Sequence, residues 1–305
     1  MKLCLFELQS RRGERFTGAV TEGGVADLTP ALGELASAPP QQRMEGVIDG
    51  FERLRSAFEA IIASGATHAE GEFRLRAPLP RPSKILCCIG NYWEHAQRDP
   101  RPLNMFLKSP DAVIGPGDTV VLPPTTDPWV FQHEAELALV IRGPAKDVSR
   151  AEHQSAVFGY TCMIDVSARG QGRSTWRAGS WMGKSFDTFA PLGPVIATAD
   201  EVADPNNLHV RFWNDGQLRH DYGTDDMEHR VPELVEFATS IMTLNSGDVL
   251  SCGTNHEGLG PLQDGETGTI EIEGIGSMSV HVSDSLKRTW ERGIYMGPDS
   301  TARRQ

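Results

Sequence analysis

The stretch FQHEAELALVIRG, residues 131–143, sets Glu134 and Glu136 at the head of an apolar run. A run of this length, stopped by Gly143 and Pro144, reads as a buried strand. Strand side chains alternate, so Glu134 and Glu136 share a face with Ala138 and Val140, while Leu137, Leu139 and Ile141 take the other. Two carboxylates that close repel each other, and burying either one uncompensated is costly. The fold must therefore bring positive charge to that face or leave it in water. A third acid, Asp165, closes the apolar segment GYTCMID further along. Between the two strands, Ser149 and Glu152 have capping-box spacing and predict the start of a short helix. Strand, helix and returning strand allow Asp165 to approach the glutamates. Three converging carboxylates make a hard-oxygen site that suits magnesium, manganese or calcium better than zinc. The spacing alone leaves a second arrangement open, an exposed pair on a half-wet strand neutralised by lysines. His133, beside the pair, falls on the opposite face and is not counted as a ligand.

At 305 residues the chain can build one large domain or a large and a small one. Its 39% hydrophobic and 23% charged residues are those of a soluble globular protein. The formal charge of -12 and pI near 5.2 disfavour a nucleic-acid partner. The opening MKLCLFELQSRR is broken at Glu7, too early for a signal peptide, and no later run is long enough for a membrane span. A cytoplasmic protein is expected. The cysteines are Cys4, Cys87, Cys88, Cys162 and Cys252; an odd number without a C-x-x-C suggests buried free thiols rather than disulfides or zinc.

Residues 1–82 read as a small N-terminal α/β domain and linker. GAVTEGGVADLTP gives short β runs, and GVIDGFERLRSAFEAIIASG gives a helix through Phe51, Leu54, Phe58, Ile61 and Ile62. RAPLPRPSK, with Pro78, Pro80 and Pro82, predicts an extended linker. Residues 83–305 turn mostly β. Asp215-Gly216 marks a hairpin, VPELVEFATSIMTL a helix with Pro232 near its start, and TGTIEIEGIGSMSVHV a closing strand pair. From Ser285 the chain is polar and predicts a surface helix or tail. The fold class expected is α+β, mostly β. No regular β-α alternation, G-x-G-x-x-G or P-loop occurs, which disfavours nucleotide cofactors.

Five further segments stand around HEAELALVI: IGNYWEHA and FLKSP before it, and GYTCMIDVSARG, MGKSFDTFAPLGPVI and SGDVLSCGTNHEGLG after it. Together, over about residues 83–283, they resemble the fumarylacetoacetate hydrolase superfamily, in its acylpyruvase, 2-oxo acid-processing branch. The resemblance implies a mixed β-sandwich roll behind a small N-terminal domain. It also implies a divalent cation, magnesium first and manganese or calcium next, on Glu134, Glu136 and Asp165. Lys184 matches the family lysine that reaches substrate oxygens, and Arg169 the family arginine near a substrate carboxylate. Gly253 and Thr254 match a "GT" turn that offers a hydroxyl and backbone donors, with Asn255 and His256 where proline is commoner. His95 matches the histidine that activates water, but Arg98 stands where several members carry its glutamate partner. Gln171 lies six residues past Asp165, where family members with a substrate-facing glutamine place it at seven.

The activity implied is metal-dependent hydrolysis of a C–C bond in an acylpyruvate-type acid, through a metal-stabilised enolate. Decarboxylation, isomerisation, hydration or lysis of a small 2-oxo acid such as oxaloacetate shares the enolate and is the alternative. Trp93, Trp129, Trp181 and Tyr222 are candidate pocket walls. The partners expected are a small oxo acid and, by the family pattern, a second copy in a homodimer.

Overall fold

The computed structural model describes residues 1–125, 130–170, 175 and 180–292. The chain opens with β1 (Lys2–Leu8), β2 (Phe16–Thr21) and β3 (Gly24–Asp27), then helix α1 (Pro40–Ala63) and β4 (Phe73–Arg76). The helix starts six residues before the stretch that predicts it. Pro40 fits its first turn, because proline lacks only an N–H that a first turn leaves unbonded. Met44, Val47, Ile48, Phe51 and Phe58 form its buried stripe, and Gly65, at φ 71°, follows its end.

Next come β5 (Ile85–Cys88), β6 (Met105–Lys108), β7 (Val113–Ile114), β8 (Thr119–Leu122), β9 (Val130–Gln132) and β10 (Ala135–Ile141). They are followed by β11 (Val157–Ile164), β12 (Ser167–Arg169), the short helix α2 (Ser180–Lys184) and β13 (Ala190–Thr198). The hairpin of β14 (His209–Asn214) and β15 (Gln217–Gly223) turns at Asp215 and Gly216, both at positive φ, as a two-residue primed turn requires. Helix α3 (Val231–Ile241) precedes β16 (Val249–Ser251), β17 (Thr267–Ile272) and β18 (Gly276–Asp284).

The first sheet has eleven strands, ordered β3-β2-β1-β13-β11-β10-β16-β5-β6, with β4 also on β1 and β7 on β13. A second sheet, β15-β14-β17-β18-β8, packs on it, with β14 against β10, β17 against β11 and β18 against β13. A ribbon of β12 and β9 stands apart. The fold is thus α+β and mostly β, as the sequence predicts. Strand β10 lies inside this sandwich, so both its faces are buried and its apolar run is continuous. The expected boundary near Pro82 falls between β4 and β5, yet the first sheet runs through it, since β1 pairs with β13.

The short helix expected after Ser149 is present, but its cap differs from the expected one. Residues Arg150–Ala156 form a 3-10 helix without a capping box. The Ser149 hydroxyl donates to Glu152 Oε2 at 2.7 Å instead of accepting from a backbone N–H. The described part of the polar tail, 285–292, contains no helix. All five cysteines are buried and free. No helix among the described residues is long and apolar enough to cross a membrane.

Candidate metal centre and active site

Strands β10 and β11 are antiparallel neighbours, with Ala135 opposite Ile164 and Glu136 opposite Met163. That register sets Asp165, just past β11, beside Glu134, just before β10; the Asp165 N–H donates to the Glu134 carbonyl at 2.8 Å. One carboxylate oxygen from each of Glu134, Glu136 and Asp165 lies within 4.8 Å of the others, and all three residues are buried. The exposed-pair arrangement is thereby excluded.

Positive charge arrives from three other elements. At the end of α2, Lys184 donates to Glu134 Oε2 at 2.6 Å and to Asp165 Oδ2 at 2.7 Å. Pairing of β12 with β9 carries Arg169 and Ser167 inward. Their side chains donate to Glu134 Oε1 at 2.5 Å and 2.7 Å. Lys108, at the end of β6 and fully buried, donates to Asp165 Oδ1 at 2.5 Å. The Ser251 hydroxyl, at the end of β16, bonds Glu136 Oε2.

These contacts separate the acids. Burial would raise Glu134, but the nearby Lys184 and Arg169 hold its carboxyl well below the usual range. Burial also pushes Glu136 well above that range, and the charges of Asp165 and Glu134 push the same way. Glu136 Oε1 is buried and has no hydrogen-bond partner among the described residues. An orphaned carboxylate oxygen beside two other acids is what an oxygen-loving divalent cation satisfies. The donor set fits such an ion.

Of the other expected residues, Gly253 adopts φ 85° in the turn after β16, and Thr254 is buried beside it. The amide of Asn255 shapes the turn: Nδ2 donates to Asp226 Oδ2 at 3.1 Å, and Oδ1 accepts the Glu257 N–H at 2.8 Å. Gln171 and Trp129 lie outside the described residues. Tyr222 is buried, its hydroxyl donating to the Ala135 carbonyl at 2.5 Å, whereas Trp181 is 61% exposed. His133 faces away from the acids, as expected. Its Nδ1 lies 3.0 Å from His220 Nε2, and its ring stacks on Phe212.

His95 is not brought to the acids. Its side chain is 86% exposed, with Nε2 3.6 Å from Glu257 Oε1. Arg98, at the expected glutamate position, bonds the buried Glu228 instead. Sequence reasoning passed over Lys108, Ser167 and Ser251, and did not pair His256 with Glu94. For Lys108 the available signal was a lysine closing the apolar FLK segment.

The family pattern described as fumarylacetoacetate (FAA) hydrolase C-terminal matches residues 84–283. A maleylpyruvate hydrolase of Aquipseudomonas alcaligenes is 32% identical over 92% of this chain and 99% of its own length. The mitochondrial oxaloacetate tautomerase FAHD2B of Bos taurus is 32% identical over 83% of this chain and 82% of its own. The crystal structure of maleylpyruvate hydrolase from Sphingobium sp. SYK-6, in complex with manganese(II) and pyruvate, superposes with a TM-score of 0.82. It has 34% identity and covers 93% of this chain and 99% of that one.

Proposed function

Because the chain belongs to the fumarylacetoacetate hydrolase family, we propose that it is a divalent-metal-dependent hydrolase. It cleaves a C–C bond in an acylpyruvate-type acid, with maleylpyruvate the first substrate to test. The observation that carries this reading is the convergence of Glu134, Glu136 and Asp165 within 4.8 Å, beneath Lys184 and Arg169. Glu134, Glu136 and Asp165 would hold a divalent cation, which would supply Lewis acidity toward the oxygens of a 2-oxo acid. Manganese, magnesium and calcium all suit the oxygen set. The ion bound by the Sphingobium neighbour puts manganese first in the test.

The protein's own groups do the rest. Lys184 places an ammonium where negative charge grows on a substrate oxygen, in a buried setting where that charge counts for more than in water. Arg169 offers a planar fork to the substrate carboxylate. The turn at Gly253 and Thr254 presents backbone N–H groups and a hydroxyl. Hydrolysis needs one more group, a base that takes a proton from the attacking water.

The exposure of His95 and the arginine at 98 favour one second reading, a tautomerase, isomerase or decarboxylase of a small oxo acid, which needs no attacking water. The two are separated by stripping the protein with chelator and reloading it with each ion in turn. Pyruvate release is then measured from maleylpyruvate and shorter acylpyruvates. Metal-dependent release supports hydrolysis. No release with any ion rejects it, and keto–enol exchange or CO2 loss from oxaloacetate under the same conditions establishes the alternative.

A further inference from the structure

Two of the segments in which the chain departs from the family's motifs, the one carrying Arg98 and the turn carrying Asn255 and His256, are joined through Glu94 and Asp226. Segment 92–101 is anchored on Glu228, which receives the Arg101 N–H at 2.6 Å and Arg101 Nε at 2.8 Å, besides the guanidinium of Arg98. With Arg98 drawn there, Glu94 and His95 take φ 52° and 57°, a conformation non-glycine residues adopt only when their surroundings hold them. Asp226 does part of the holding: its carbonyl accepts from Trp93 N–H at 3.0 Å, and its Oδ2 accepts from Glu94 N–H at 3.2 Å. The result turns His95 out to solvent and Glu94 inward, onto His256.

Glu94 Oε1 accepts from both the His256 backbone N–H, at 3.0 Å, and His256 Nδ1, at 2.5 Å. The imidazole is about as enclosed as its partner, with 20% and 24% of the side chains exposed. Its Nε2 has no hydrogen-bond partner among the described residues. A carboxylate on Nδ1 keeps the proton there and leaves the Nε2 lone pair free to accept one. His256 stands five residues past Ser251, which bonds Glu136, and opens a 3-10 turn whose Gly258 carbonyl accepts from Arg219 Nε at 3.3 Å, beside His220, which meets His133, the residue before Glu134. It therefore belongs to the wall of the acidic site rather than to the outer surface.

We propose that His256, oriented by Glu94, is the base that activates water in this protein, in place of His95. The proposal rests on the hydrolase reading above. His256 Nε2 takes one proton from water, and the hydroxide oxygen bonds the distal carbonyl carbon, whose π pair moves to its oxygen. That oxygen's pair re-forms the carbonyl as the C–C bond breaks, releasing a carboxylic acid and leaving the bond pair on pyruvate as its enolate. The proton on His256 then passes to the enolate carbon and completes pyruvate. His256 acts catalytically; Glu94 is a positioning residue.

The test compares His256→Asn, His95→Asn and Glu94→Gln in the manganese-loaded protein. His256→Asn lowers kcat for acylpyruvate cleavage by about 10²- to 10⁴-fold while calorimetric pyruvate affinity stays within a few-fold; His95→Asn costs much less. Glu94→Gln lowers kcat by less than His256→Asn and leaves KM and pyruvate affinity within a few-fold, and Glu94→Asp recovers much of the loss, because the carboxylate orients the ring through Nδ1. A larger loss in His95→Asn than in His256→Asn, or an unchanged kcat in Glu94→Gln, overturns the proposal. A second readout needs no turnover. On replacing magnesium by paramagnetic manganese, the ring signals of labelled His256 broaden more than those of His95. If wild type cleaves no acylpyruvate, the hydrolase reading fails. The siting of His256 then stands or falls on this broadening, and the reverse order overturns it.

Discussion

Glu134, Glu136 and Asp165 are expensive residues to bury, and their neighbours show how the cost is met. Glu134 is surrounded by Lys184, Arg169 and Ser167, and Asp165 by Lys184 and Lys108, but one oxygen of Glu136 is left without a donor among the described residues. Breaking a buried ion pair from one side is destabilising, so these residues are not interchangeable with their amides. A cation that binds only the folded chain stabilises it by RT ln(1 + [L]/Kd), about 2.7 kcal/mol at a hundredfold excess over Kd, or roughly 4 °C in Tm for a chain this long. Manganese is expected to raise the melting temperature of the chelated wild type by that amount. In Glu136→Gln the rise should shrink to near nothing, as followed by scanning calorimetry. An equal rise in both proteins would place the ion elsewhere.

At the scale of elements, the site is the product of one strand pairing and one clamp. The pairing of β10 with β11 brings the acids together, and β12 on β9 delivers Arg169. The clamp is Glu228, whose carboxylate is fully buried beneath Arg98 and Arg101. Burial by itself would raise Glu228, but the bonds from Arg98 and Arg101 outweigh it and hold the carboxyl at about 2. A carboxyl depressed in the folded state contributes stability that is present above its unfolded value, near ~4.3, and is lost as pH falls toward 2. Both arginines are about a third exposed, which weakens the pair. Glu228→Gln should therefore cost on the order of 1–3 kcal/mol at pH 7, with the gap to wild type closing between pH 5 and 2. Urea unfolding at a series of pH values measures it; a gap that stays constant with pH would show that the clamp is not ionic.

At the scale of the whole molecule, the N-terminal segment is part of the frame that carries the site. Strand β1 pairs with β13, Leu3 and Leu5 are fully buried, and Phe51 of α1 meets Phe158 of β11 edge-on at 5.1 Å. Strand β11 ends one residue before Asp165, so this packing supports the metal site from behind. Removing residues 1–82 bares the β13 edge and an apolar sheet face, features that promote strand pairing between chains. The truncated chain should be recovered aggregated, or as a species that binds a hydrophobic dye, when followed by size-exclusion chromatography. A monodisperse fragment that still binds manganese would show that residues 83–305 fold alone.

The sequence by itself determined the two strands that carry the acids, the closing strand pair, the two long helices, the Asp215-Gly216 hairpin and the three acids, because periodicity, turn chemistry and the cost of buried charge are local properties of the chain. It also determined that something positive must face Glu134 and Glu136; the motifs offered a divalent cation for that place and assigned Lys184 and Arg169 to the substrate, and the structure sets both side chains on Glu134. Only the tertiary structure decided that Lys108, Ser167 and Ser251 complete that shell. It alone showed that His95 turns outward while Glu94 meets His256. Those contacts join residues from separate strands and loops, and the direction of a side chain in a loop is set by what the loop is anchored to. Here the anchor is Glu228, far along the chain from the arginines it holds.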